Sequence, residues 1–332
     1  MPNLTSTPQL LDAVSYVADL TARVSTAKKR IIITSMIIND DPSTNALIVA
    51  LMDAARHGID VDVMFDTFTF REFGGYFNPF RRLKKRSREA IATMKRLQTA
   101  GVTVTLLGKN VVINPFAGVT HIKWSVVDSD CYTFGGVNLY HEGVHGATDY
   151  MIRIQDPALA DDLASQHAAL QKSPHPIFKG YHGQSSIGSW FVDSGIRHES
   201  LIYSRALALT KKAESVLYVS QYSPSGPLAN TLQQKKNVEC YFNTPQNAPF
   251  PTSLMLWIDQ KITGINSQYR RKKYLHAKFM IFTMPGGKKV ALTGSHNFSF
   301  KGVVFGTREV ALESDNPVII EQIEDFFGEY IK

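Results

Sequence analysis

His121-Ile122-Lys123-Trp124-Ser125-Val126-Val127-Asp128 and, half a chain later, His276-Ala277-Lys278-Phe279-Met280-Ile281-Phe282-Thr283 are two versions of one pattern. Each opens with His and Lys two residues apart and continues into an apolar run that reads as a buried strand. Each then turns, at Ser129-Asp130 or at Met284-Pro285-Gly286-Gly287, and returns as a second strand. The returning strands end in Gly135-Gly136-Val137-Asn138 and Gly294-Ser295-His296-Asn297. In an extended chain, side chains at i and i+2 leave the same face, so each hairpin gathers His, Lys and Asn into one basic, hydrogen-bonding corner. One such tripeptide would carry little information; two copies with the same exit carry much more. From His to Asn the spacing is 17 residues in the first copy and 21 in the second, and the longer second turn accounts for the excess. An acid follows each copy: Asp149 lies 28 residues after His121, and Glu309 lies 33 after His276.

Outside the hairpins the duplication continues. Leu10, Ala13, Val17, Leu20 and Val24 form the stripe of an amphipathic helix, and the β-branched run Ile31–Thr34 predicts a strand. A helix over Asn45–Arg56, closed at Gly58, precedes an alternating strand over Ile59–Val63. The order returns as a helix from Leu201, strand Val216–Val219, helix Leu228–Lys236 and strand Val238–Phe242. Strands alternating with helices imply an α/β fold, with mixed sheets carrying helices on their faces. The breaker-rich stretch Lys172–Trp190 divides the chain into a first lobe over 1–171, a linker over 172–196 and a second lobe over 197–332.

Composition limits the function. The chain has 332 residues, ordinary globular content and a formal charge of 36 − 29 = +7, which favours polyanionic partners such as phosphorylated substrates, nucleic acid or anionic lipid. No apolar stretch reaches the ~18 residues of a membrane span, and Met1–Thr5 has neither region of a cleaved signal. Two cysteines, Cys131 and Cys240, suit a reducing compartment and make no disulfide framework. Between Thr67 and Arg88, six aromatics, Phe77 and Phe80 among them, crowd beside Arg81, Arg82, Lys84 and Lys85, a mixture that suits lipid headgroups or a nucleic-acid strand. His141-Glu142-Gly143-Val144-His145 spells the zinc metalloprotease pattern, which requires a helix. Gly143 and Gly146 argue for a loop near the pocket instead.

The paired motifs identify a resemblance to the phospholipase D superfamily along essentially the whole chain. That family carries two H-x-K-x4-D segments, each followed by Gly-Gly/Ser-x-Asn, on two similar lobes related by a pseudo-twofold axis. Here the first motif is complete in His121, Lys123, Asp128, Gly135, Gly136 and Asn138. The second departs only at Thr283, where the family has Asp. Asp128 and Thr283 fall at the turn end of the strand, which points to a structural role shared with Gly135, Gly136, Gly294 and Ser295.

The resemblance implies covalent phosphodiester chemistry. Neutral His121 attacks phosphorus and forms a phosphohistidine, while His276 protonates the leaving oxygen and later deprotonates the acceptor. Lys123, Lys278, Asn138 and Asn297 stabilise the non-bridging oxygens, so neither a metal nor another cofactor is expected. Asp149 and Glu309 accept the imidazole N–H that is not reacting. Asn39-Asp40-Asp41, Ala54–Gly58 and Gly135–Tyr140 are similar to the cardiolipin synthase and phosphatidylserine synthase branch, which implies phosphatidyl transfer to an alcohol. The partner is then an anionic membrane surface, met peripherally from the cytoplasmic side, with the 67–88 segment resting on it and no obligate protein partner. The alternatives are a phospholipase D-type hydrolase and a nuclease whose backbone contacts include Arg270-Arg271-Lys272-Lys273. A catalytically dead binding module fits poorly with intact His and Lys in both motifs.

Overall fold

In the first half, the computed structural model runs β1 (Gln9–Asp12), α1 (Ala13–Val24), β2 (Arg30–Ser35), α2 (Asn45–Arg56), β3 (Asp60–Asp66), α3 (Lys85–Thr99) and β4 (Thr103–Leu107). It continues through β5 (Trp124–Val127), β6 (Asp130–Thr133), α4 (His141–Val144), β7 (Ala147–Thr148), β8 (Tyr150–Gln155) and α5 (Pro157–Lys172). The second half begins β9 (Tyr181–Ser185), β10 (Gly188–Ser194), α6 (Leu201–Lys212), β11 (Ser215–Val219), α7 (Pro227–Gln233), β12 (Asn237–Tyr241) and α8 (Thr252–Thr263). It ends β13 (Tyr274–Leu275), β14 (Phe279–Thr283), β15 (Lys289–Gly294), α9 (Phe300–Phe305), β16 (Arg308–Ser314) and α10 (Pro317–Tyr330). The structure describes residues 7–70, 85–108, 119–172, 180–248, 250 and 252–332.

Two seven-stranded mixed sheets result, ordered β1-β8-β6-β5-β2-β3-β4 and β12-β11-β14-β15-β16-β10-β9. Read in opposite senses, six strands of each follow one order, with β4 and β9 as the unmatched edges. Alternation along the strands sets the layers. Ile31 and Ile33 of β2 enter the core beneath α1, α2 and α3, whereas Ile32, Trp124 and Val126 face a core shared by both sheets with α5 and α10. In β14, Phe279 and Ile281 face that shared core, and Met280 and Phe282 face the one under α6 and α7. A single apolar mass therefore fixes one lobe on the other.

Two local expectations need correction. Leu10 does not belong to the first helix: residues 9–12 pair antiparallel with β8, and the helix starts only after Asp12, whose carboxylate accepts the Ser15 amide at 2.7 Å. Much of the stretch 172–196, read as linker, is the β9–β10 hairpin on the edge of the second sheet. Its breakers serve that hairpin: Gly188 has φ +147°, and a Cβ there would lie 2.3 Å from the Glu313 carbonyl.

Candidate active site

Neither His-x-Lys tripeptide lies inside a strand. Each precedes its hairpin, β5–β6 or β14–β15, and pairs with the opposite half of the molecule. Thr120 bridges to Arg308, and the His121 amide donates to the Arg308 carbonyl at 2.8 Å. The symmetric contact is β13 on β7: Leu275 pairs with Thr148, and the His276 amide donates to the Thr148 carbonyl at 3.0 Å. Arg308 and Thr148 each precede the acid that follows a motif, so the acids are exchanged. His121 Nδ1 meets Glu309 Oε1 at 3.0 Å, and His276 Nδ1 meets Asp149 Oδ2 at 2.5 Å. Each imidazole is oriented through its Nδ1 by a carboxylate of the other lobe.

Both carboxylates are buried, at 2% and 1% side-chain exposure, while His121 keeps 24% and His276 18%. Burial pushes the Glu309 carboxyl up, but His121, His296 and Lys123 outweigh it and bring its pKa to about 2. Burial likewise opposes ionisation of Asp149, and His276 and Lys278 overcome it, so that pKa is lowered too. Both carboxylates are therefore ionised at neutral pH. Burial, reinforced by Lys278, lowers His276 to about 4 against the pull of Asp149. Lys278 falls to about 7 through burial, and burial also lowers Lys123, although Glu309, Asp149 and Asp66 oppose it. Lys123 acts on His276, and Lys278 feels Lys123 and Glu309, so the two motifs share one electrostatic field. Each ammonium also donates to the carbonyl of its own motif histidine, Lys123 Nζ to His121 O at 2.7 Å and Lys278 Nζ to His276 O.

The Gly-x-x-Asn exits make room for this arrangement. A Cβ on Gly135 would lie 1.8 Å from the Tyr150 carbonyl, and one on Gly294 would lie 2.1 Å from that of Val310. Gly136 leaves space for Asp149, whose Oδ2 would sit 2.5 Å from a Cβ. At the matching position Ser295 donates its hydroxyl to Glu309 Oε2 at 2.5 Å. Asn138 and Asn297 are buried at the ends of these exits. Among the described residues Asn138 Oδ1 has no hydrogen-bond partner, whereas Asn297 Oδ1 lies 3.4 Å from the Ser220 hydroxyl.

Asp128 stands apart from this chemistry. Its carboxylate accepts the amides of Lys28, Lys29 and Arg30 at 3.0, 2.8 and 3.2 Å, holding the start of β2. At the equivalent end of β14 the backbone carbonyl of Thr283 accepts the Glu214 amide at 2.7 Å, so that junction closes without a carboxylate.

A further pair of residues is visible only once the halves are superimposed by register. Matching β2–β3–β5 to β11–β12–β14 sets Asp66 against Asn243. Asp66 Oδ2 accepts the Thr120 amide at 2.8 Å, and burial raises its pKa to about 6 despite that bond, one from Phe68 and the charges of His121 and Arg308. Asn243 clamps Leu275 from both sides, accepting its amide at 2.8 Å and donating to its carbonyl at 2.7 Å. Each half thus fixes the residue before its histidine.

The zinc-like pentapeptide forms a helical turn despite its glycine, with the His145 amide donating to the His141 carbonyl at 2.8 Å. Its histidine rings lie 5.1 Å apart and tilted, and His141 Nδ1 is 2.8 Å from the Ser43 hydroxyl. Among the described residues no three His, Cys, Asp or Glu are grouped to hold a metal. Phe77, Phe80, Arg81, Arg82 and Lys84 lie outside the described residues, and Lys85 opens α3. No helix among the described residues is long and apolar enough to cross a membrane.

Residues 20–170 match a family model described as cardiolipin synthase, PLD-like domain. Among solved structures, phosphatidylserine synthase from Haemophilus influenzae superimposes with a TM-score of 0.70 at 14% identity, over 98% of this chain and 86% of that one. Polyphosphate kinase from Porphyromonas gingivalis superimposes with a TM-score of 0.61 at 14% identity, over 96% of this chain. This chain spans only 49% of that kinase. No curated protein matches the sequence.

Proposed function

We propose that this chain is a member of the phospholipase D superfamily and a phosphatidyltransferase that passes a phosphatidyl group through a phosphohistidine to an alcohol, a reading supported by the family model over residues 20–170 and by the shared fold. The observation that carries the proposal is the crossed pairing of His121 with Glu309 and His276 with Asp149, beside Lys123 and Lys278. In the first step His121 Nε2 forms a bond to phosphorus, the bond to the leaving oxygen breaks, and His276 supplies that oxygen with a proton. In the second step His276 takes the proton of the acceptor hydroxyl, whose oxygen displaces His121. The lysines hold the non-bridging oxygens throughout, and Glu309 stabilises the cationic phospho-imidazole by keeping its Nδ1 proton. The matched family and the fold shared with a phosphatidylserine synthase support a lipid substrate.

A second assignment of the histidines has its own support. The attacking form is neutral imidazole, and burial holds His276 in that form. Alkaline mapping of the adduct after a rapid quench, chosen because the P–N bond is labile in acid, separates the two, since the label sits on either His121 or His276.

The deciding experiment incubates purified protein with labelled phosphatidylglycerol, phosphatidylethanolamine or single-stranded DNA, each with and without EDTA. A new phospholipid formed in EDTA supports transfer, and phosphatidate alone supports hydrolysis. Cleaved DNA with intact lipid replaces the proposal with a nuclease. Loss of turnover in EDTA refutes the lysine-based mechanism.

A further inference from the structure

Five of the nine large apolar side chains that stand exposed among the described residues fall between positions 250 and 262. Leu254, Trp257, Ile258 and Ile262 recur at helical spacing along α8, and Phe250 precedes it, so they form one outward stripe. Phe250 and Ile262 are 81% and 77% exposed. The opposite side of the helix is packed in the ordinary way, with Leu256 fully buried. The helix has two charged residues, and they are sorted by face. Asp259 points inward, 7% exposed, and is neutralised by Lys301 Nζ at 2.6 Å, whereas Lys261 is exposed on the stripe side. An outward apolar stripe that carries a tryptophan, a lysine and no acid can enter a bilayer interface without burying a negative charge.

The position of the helix gives this composition a use. It follows β12, at the end of the second sheet where Ser220 reaches Asn297 and Asn243 clamps Leu275 beside His276. The inward Asp259 acts electrostatically on Tyr222. Gln221 in turn donates to both Tyr222 and Tyr274 at 2.9 Å, two residues from His276. Thr263 of the same helix meets the Ser223 hydroxyl at 3.3 Å and Asp259 pairs with Lys301, so α8 packs beside the loops that carry Gln221 and Asn297 with its stripe facing outward. We propose that the outer face of α8 docks the protein on an anionic phospholipid surface and so presents the site to lipid headgroups. The proposal deepens the lipid reading, but its readout is binding and not turnover.

The chain carries its own reporter. It has three tryptophans; Trp124 and Trp190 are fully buried and Trp257 is 52% exposed. Titration with phosphatidylglycerol–phosphatidylcholine vesicles is expected to shift Trp257 emission to shorter wavelength, with a much smaller shift on phosphatidylcholine alone and a weaker one at high salt. The double variant Leu254→Ser, Ile262→Ser is expected to lower vesicle partitioning at least ~10-fold, since both residues would otherwise bury exposed apolar surface. Circular dichroism checks that the variant is folded, and turnover of a monodisperse short-chain donor is expected to stay unchanged. The proposal is overturned by an absent shift, by an equal shift on neutral vesicles, or by a shift that follows protein concentration without lipid, which would make the stripe a contact between copies. Vesicle docking without any lipid turnover would sustain this proposal and refute the function.

Discussion

Glu309→Gln is the sharpest test of the crossed pairing. The side chain is 2% exposed, and its two oxygens are occupied by His121 Nδ1 at 3.0 Å and the Ser295 hydroxyl at 2.5 Å. A glutamine of the same shape can keep its oxygen on His121 and turn its NH2 toward Ser295 Oγ, so the geometry survives and the charge is lost. That charge matters only when the ring becomes a cationic phospho-imidazole, so its effect is larger in the transition state than in the ground state. At an N···O distance of 3.0 Å, an effective dielectric constant of about 20 sets an upper limit of about 5.5 kcal/mol on the attraction. The dipolar hydrogen bond that remains returns about 1–1.5 kcal/mol. The net loss of about 3–4 kcal/mol is a fall in kcat of about 10²–10³-fold. KM should stay within about twofold, because uniform substrate binding is untouched.

The assay is initial-rate transfer from labelled phosphatidylglycerol under saturating acceptor, with near-UV circular dichroism to confirm native packing. If kcat falls by less than tenfold, or the loss lies wholly in KM, Glu309 does not orient a reacting imidazole and the mechanism built on it fails.

Burial brings Lys278 to about 7, so the free protein loses a positive charge at the candidate site as pH rises through neutrality, and on the proposed mechanism that charge binds the substrate phosphate. The profile of kcat/KM should fall above about pH 7, and that of kcat at higher pH because a bound anion restores the charge; kcat/KM level to pH 9 would contradict it. His296 accepts the Phe298 amide on Nδ1 at 2.8 Å, and burial lowers its pKa to about 4. Since the folded value lies below the unfolded ~6.5, this stability is complete above pH 6.5 and lost as pH falls toward 4, about 2 kcal/mol of it by pH 5. Because His276 is lowered to about 4 as well, urea unfolding at pH 8 and 5 should show about 2 kcal/mol more loss in the parent than in His296→Val, and equal losses would refute the assignment. Asn243→Leu orphans the amide and carbonyl of Leu275, which should cost about 2–4 kcal/mol and lower kcat at least tenfold; an unchanged urea midpoint would refute the clamp. Asp128→Ala removes an acceptor from three amides and should cost about 2–3 kcal/mol while leaving kcat of the folded fraction within twofold, and a larger drop would give this carboxylate a part in the chemistry.

The duplicated hairpins were legible because their signals are local: a tripeptide, a strand pattern, a turn and a Gly-x-x-Asn exit. The turn that accounts for the longer second spacing is the Met284–Lys288 connection, closed by the Met284 amide on the Lys288 carbonyl. The crossing was not legible. Offsets of 28 and 33 residues allow each acid to serve its own lobe or the other, and the pairing of β13 with β7 and the bridge from Thr120 to Arg308 decide between them. Strand β1 was hidden for the same reason, because its partner β8 lies some 140 residues away and four residues are too few to set a period. The Asp66–Asn243 correspondence had one usable signal, the alignment of the two repeats strand by strand. The stripe on α8 had none, since periodicity cannot distinguish an apolar face that packs from one left open.

Symmetry in the skeleton makes the asymmetry of the chemistry informative. Around His276 and Asp149 the matched positions hold Gly136, Asn243, Thr148 and Val137, none of which ionises. Around His121 and Glu309 the same positions hold Ser295, Asp66, Arg308 and His296. Ser295 bonds Glu309, His296 lies within its field, Asp66 holds Thr120, and the charge of the fully buried Arg308 acts on Asp66. A general acid changes its proton and is soon restored, whereas a nucleophile must carry a fixed positive charge for as long as the covalent intermediate lives. Polar support is worth most beside a charge of that kind, provided every member of the network is held by another. Its concentration on one histidine of an otherwise duplicated pair supports attack by His121, against the neutrality that burial alone confers on His276.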